Sequence, residues 1–133
     1  MDAEDARIAA GEGVDAIVVF NHGGRQLDGA PAVIRILPNI VEAVAGESEV
    51  LFDGGITSGQ SLLKTLALGA RAGLIGQAFL YGLGAMGQAG VAKAIEVIRK
   101  ELDVSMGLTA RHDVQSISRE ILLQRNGQPY GAR

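Results

Sequence analysis

Short β-branched apolar runs alternate with helix-patterned stretches along this chain, and each run ends in glycine or polar residues. Asp15–Phe20, Glu49–Asp53 and the weaker Ala72–Gly76 are too short for buried helices and suit strands covered on both faces. Asp2–Glu12 reads as a helix with acidic residues in its first turn, where the helix dipole favours them, and with Gly11 and Gly13 at its end. Pro31 is expected to open the next helix. Val33, Ile34, Leu37, Ile40, Val41 and Val44 recur along it at helical spacing, and Pro38 is expected to kink or divide it. Ser58 is a cap for a third helix that runs to about Leu68 and stops at Gly69. Gly87–Leu102 carries Val91, Ile95, Ile98 and Leu102 on one helical face, and Asp113–Leu123 is read as a last helix. Strands that alternate with helices imply right-handed βαβ units and a parallel sheet. The expected class is α/β, with one domain over residues 1–123 and a mobile tail over Gln124–Arg133.

Composition removes several function classes. The chain of 133 residues is one domain's worth and can bury a core. Hydrophobic residues make up 47%, yet no apolar run is long enough to span a bilayer. The acidic start, Met1 to Asp5, does not resemble a secretory signal, so the chain reads as soluble and cytoplasmic. There are no cysteines, which excludes disulfides and thiolate metal sites. A net charge of −3, no basic block and 4% aromatics argue against a nucleic-acid surface. His22 and His112 lie far apart and make no metal-ligand spacing, so no metal is expected.

Chemistry concentrates after the strands, at the sheet edge where parallel α/β folds place their sites. Asn21-His22-Gly23-Gly24-Arg25 follows the first strand. A histidine there can take a proton near neutral pH, and an arginine three residues on can hold a carboxylate through two parallel hydrogen bonds. From spacing alone, the same residues equally suit a loop with a satisfied surface histidine and arginine. Asp53-Gly54-Gly55-Ile56-Thr57-Ser58-Gly59 and Gly76-Gln77 are glycine segments before helices, able to offer backbone N–H groups to a phosphate. Ordinary strand-to-helix turns use glycine in the same way.

Taken together, three features resemble the FMN-dependent α-hydroxy-acid dehydrogenases: Asn-His-Gly-Gly-Arg-Gln-Leu-Asp, then Asp-Gly-Gly-Ile, then Leu-Ala-Leu-Gly-Ala-Arg-Ala with Phe-Leu-Tyr-Gly-Leu. That family includes L-lactate dehydrogenases, glycolate oxidases and mandelate dehydrogenases. The resemblance runs from about Asp2 to Leu123. It implies an eight-stranded β/α barrel with FMN at the mouth, of which this chain matches the last three strands and their helices. It further implies that His22 is the base acting on the substrate and that Arg25 binds the substrate carboxylate. Hydride would pass to the flavin, turning a 2-hydroxy acid into a 2-oxo acid. Phe20, Asp53, Gly54, Gly55, Thr57, Gly76 and Gln77 occupy the family's cofactor positions. A flavin-contacting lysine, a second substrate arginine and the active-site tyrosines belong to the family's upstream part. Peripheral association with the inner membrane is compatible with the resemblance.

The departures fall on the flavin positions. Phe20 stands where the family usually has serine, Thr57 and Gln77 where it has phosphate-gripping arginines, and Ser61 where it has aspartate. Hydrogen bonds to charged groups contribute about 1.5–3 kcal/mol each, so losing two guanidinium groups weakens the hold on a phosphate by orders of magnitude. Three parallel strands cannot close a barrel and leave two open edges. The chain is therefore expected to pair with a missing N-terminal half or to form a homo-oligomer, and to be inactive by itself. The alternative is a recruited, non-enzymatic oligomeric module that has lost flavin binding.

Overall fold

The computed structural model describes residues 1–123, 127, 128 and 130. Three strands, β1 (Ala16–Val19), β2 (Glu49–Asp53) and β3 (Ala72–Leu74), form one parallel sheet in the order β1-β2-β3. Val18 pairs with Leu51 and Leu51 with Ala72, so these three residues form one row across the sheet. Asp53 pairs with Leu74 in the row above. The third strand was expected to reach Gly76 but ends at Leu74, because its partner β2 ends at Asp53 and leaves nothing to pair with. The first strand likewise stops short of Phe20, at Val19, which pairs with Phe52.

Helix α1 (Ala3–Gly11) begins where the Asp2 carboxylate accepts the Glu4 N–H. Helix α2 (Val33–Val44) starts two residues after Pro31, whose carbonyl instead accepts a hydrogen bond from the Asn21 side chain. It continues through Pro38 without dividing, and Leu37, Pro38 and Ile40 are buried in it. Ser58 caps α3 (Gly59–Ala67) by accepting the Ser61 N–H. Helix α4 (Gln77–Leu108) begins well before the expected Gly87 and has two arms that meet at Met86 and Gly87. Gly87 sits at φ 59°, ψ −140°, a conformation that a side chain disfavours. The arms fold together where the backbones of Gly82 and Gly90 approach too closely for any Cβ.

The expected helix over Asp113–Leu123 is corrected to two single 3-10 turns, Val114–Ser116 and Arg119–Ile121. Short polar side chains compete with the helix here. Asp113 accepts the Gln115 N–H, and the Ser116 hydroxyl donates to the Asp113 carbonyl. The tail expectation falls on residues 124–126, 129 and 131–133, which lie outside the described residues. Of the described ones, the Tyr130 N–H donates to the Leu122 carbonyl, and Arg119 lies 5.8 Å from the Tyr130 ring centre.

The two sheet faces differ. Val19, Val50 and Phe52 point into a core shared with α1 and α2 and are 2–5% exposed. The other face, running through Val18, Leu51 and Leu74, has no helix over it among the described residues: Val18 is 49% exposed and Leu74 39%.

Candidate active site

The first loop is held by its own backbone. The Asn21 carboxamide oxygen accepts the Gly23 N–H, while its NH2 group donates to the Pro31 carbonyl. The chain then passes through three successive residues of positive φ, His22 at 56°, Gly23 at 67° and Gly24 at 75°. Glycine adopts such angles freely. Histidine is among the few side-chain-bearing residues that do so with any frequency. The turn brings the Arg25 Nε to the His22 carbonyl, to which it donates at 3.0 Å. His22 and Arg25 are both exposed at the C-terminal end of the sheet. The Phe20 ring lies against the imidazole, with centroids 4.6 Å apart and planes tilted by 41°.

The second loop is anchored by Ile56, which is 4% exposed and inserts into the core. Gly73 makes room for it, since a Cβ on β3 at that point would meet Ile56 and Leu62. With Ile56 fixed, Thr57 faces outward. A cavity of about 250 Å³ lies between the ends of β2 and β3, with Arg25, Asp53, Thr57 and Gln77 around it beside Gly55 and Gly76. Six of the sequence-predicted positions thus meet at one place. Gly54 instead lines a neighbouring cavity of about 500 Å³ with Asn21, Val33 and Lys64. Phe20 and His22 line neither cavity.

Two contributors carried no local signal. Glu101, on α4, accepts the Gly59 N–H at 2.8 Å across a separation of 42 residues. Gly59 lies so close to the backbone at Glu101 and Leu102 that no Cβ fits. These contacts fix where α3 begins, and so hold the loop before it. Asn21 was part of the motif, and an asparagine ahead of a glycine pair is a readable sign of a side-chain-closed turn.

Three parallel strands with flanking helices and with their loops gathered at the C-terminal edge define an α/β fold of the β/α-barrel class. The chain belongs to the FMN-dependent dehydrogenase family, whose model matches residues 1–124. It is 50% identical over 125 residues to an L-lactate dehydrogenase of Caulobacter vibrioides, covering 94% of this chain and 33% of that protein. An L-lactate dehydrogenase of Xanthomonas euvesicatoria is 52% identical over 122 residues, covering 92% of this chain and 31% of that protein. Among solved structures, a mandelate oxidase with benzoyl-formic acid is 48% identical with a TM-score of 0.86, covering 90% of this chain and 36% of that one. A mandelate oxidase variant with a monooxide FMN adduct gives the same identity and TM-score over 90% of this chain and 38% of its own. The chain therefore spans about one third of the length of the curated relatives it matches, and its sheet is an incomplete TIM-type barrel.

The cavity residues do not fit the phosphate of FMN. One cation and one carboxylate face the space, so their formal charges cancel. The Arg25 Nε is already engaged by the His22 carbonyl. Two N-terminal donors of α3 are also taken, the Ser61 N–H by Ser58 and the Gly59 N–H by Glu101. A dianion placed there would lose its water and meet the Asp53 carboxylate, with only the terminal NH groups of Arg25 to offset the charge.

Proposed function

We propose that this chain supplies the substrate-handling edge of a 2-hydroxy-acid dehydrogenase barrel. His22 is the base that takes the proton of the substrate 2-hydroxyl. Arg25 holds the substrate carboxylate through its terminal NH groups. The observation that carries this reading is the Arg25 Nε hydrogen bond to the His22 carbonyl, which ties clamp and base into one turn. Holding the carboxylate at a fixed offset from the base would present the adjacent 2-hydroxyl to His22 in a reproducible pose. The reaction class is oxidation of a small 2-hydroxy acid to a 2-oxo acid, for which the family's flavin is the two-electron acceptor.

We further propose that residues 1–123 act as one unit and that activity requires the rest of a barrel. Among the described residues, the uncovered sheet face and the open edges of β1 and β3 support this reading. An upstream segment equivalent to the remaining two thirds of the relatives is the favoured cover, and a second copy of this chain is its competitor. The same exposed face, with a cavity whose one arginine, Arg25, is offset by Asp53, favours a second reading, a non-enzymatic oligomeric module. A cytoplasmic location is part of the proposal. Among the described residues, no helix is long and apolar enough to cross a membrane.

The test is complementation. The chain is refolded with the upstream two thirds of the Caulobacter relative, and L-lactate-dependent dye reduction is followed. Activity that appears only with both parts supports the enzymatic reading. His22→Asn keeps a residue that tolerates positive φ while removing the base, and should lower kcat by about 10²- to 10⁴-fold. Arg25→Lys should chiefly raise KM, because a point charge replaces a two-pronged clamp. Unchanged rates in His22→Asn would rule out the assigned base, and an inert mixture would favour the oligomeric module.

A further inference from the structure

The cavity between β2 and β3 resembles a polyol site more than a phosphate site. Among the described residues, the side chains of Asp53, Thr57 and Gln77 make no hydrogen bond or ion pair with another protein group, yet all three line the same 250 Å³. Their chemistry is complementary to hydroxyl groups. The Asp53 carboxylate accepts, the Thr57 hydroxyl donates or accepts, and the Gln77 carboxamide does both. A row of alcohols can satisfy all three, whereas a dianion faces the Asp53 carboxylate with like charge. The first turn of α4 has no side-chain cap, and its N–H groups can donate to a hydroxyl oxygen.

Resting on the flavin reading above, we propose that this cavity takes the uncharged polyol end of a flavin, so that the chain prefers dephosphorylated riboflavin to FMN or treats them alike. Thr57 and Gln77 set this preference. The polyol hydroxyls meet Asp53, Thr57 and Gln77, and the chain end that carries phosphate in FMN carries a free hydroxyl.

Riboflavin and FMN are titrated separately into the chain, with flavin fluorescence quenching as the readout. The same titrations are run on Thr57→Arg, Gln77→Arg and the double variant, with circular dichroism to confirm the helical fold. The expected wild-type result is a riboflavin affinity equal to or above that of FMN. Each new guanidinium should move the ratio toward FMN by roughly tenfold or more, the worth of one charge-assisted hydrogen bond. Inorganic phosphate should then compete with FMN on the double variant and not on the wild type. A wild-type preference for FMN of tenfold or more overturns this inference and leaves the flavin reading standing. So does a wild type that ignores both flavins while the arginine variants bind FMN. Binding of neither flavin to any of the proteins overturns both. The single variants keep the comparison intact if the double variant does not fold.

Discussion

Gly59 shows how a single atom can fix a site. Its backbone lies against the α4 backbone at Glu101 and Leu102, and its N–H is held by the Glu101 carboxylate. Gly59→Ala should lower stability by about 1–3 kcal/mol, the usual cost of overpacking where backbone cannot retreat, read as a shift in urea midpoint. Leu37 is the opposite case, a fully buried side chain under the sheet. Leu37→Ala should cost about 2–5 kcal/mol in the same assay through lost burial and a residual cavity. Both positions differ in how legible they were. Leu37 is placed in the core by helical spacing alone, and Ser58 is recognisable as a cap from its position before an apolar helix. Gly59 and Glu101 meet only after the chain has passed through β3 and turned back in α4, so no local pattern predicts the contact. The His22–Arg25 pair was legible as residue types, but the backbone clamp between them depends on three consecutive positive φ angles that composition alone does not specify.

At the scale of elements, the helices and strands near the site were readable where burial is strongest. Strand β2 has the expected bounds, since apolar Val50, Leu51 and Phe52 lie between paired neighbours. The misread elements are those set by competition. The arm of α4 before Gly87 has a glycine-rich sequence with little helical periodicity, and is held by the Gly82–Gly90 approach. Gly87→Ala should destabilise the fold by about 1–3 kcal/mol, because a Cβ resists the backbone angles of the bend. Loss of the bend would show as a changed midpoint with the helical signal retained. In the C-terminal segment, Arg111 pairs with Glu120 at 2.9 Å. The hydrogen bond from the Arg111 guanidinium, followed by its positive charge, holds the Glu120 carboxyl below its ordinary range. A carboxylate with a depressed folded-state pKa adds stability that is complete above its unfolded pKa and is lost as pH falls through the folded one. The difference in melting temperature between wild type and Glu120→Gln should therefore be present at neutral pH and close in acid. Because Glu120 is exposed, salt should shrink it as well.

At the scale of the whole molecule, the parallel order of three strands follows from the alternation of elements, but the reason for one bare sheet face does not. Val18, Leu51, Ala72 and Leu74 lie on that face, where alternation along each strand puts them, and the pattern cannot state what lies opposite. In water, an uncovered apolar face of this kind favours association. The chain alone should sediment above its 13.8 kDa mass at micromolar concentration. Adding the upstream segment of a relative should convert that species to a one-to-one complex, because both partners need the same face. Val18→Lys places a charge on the open face, on edge strand β1, without touching the helix-facing core, where Val19 lies. Burying that ammonium against either partner is costly, so the substitution should weaken self-association and complementation together by tenfold or more. A variant that still self-associates like the wild type while losing complementation would show that the copies meet through their edges or the exposed side of α4, and that the inner face serves only the upstream segment.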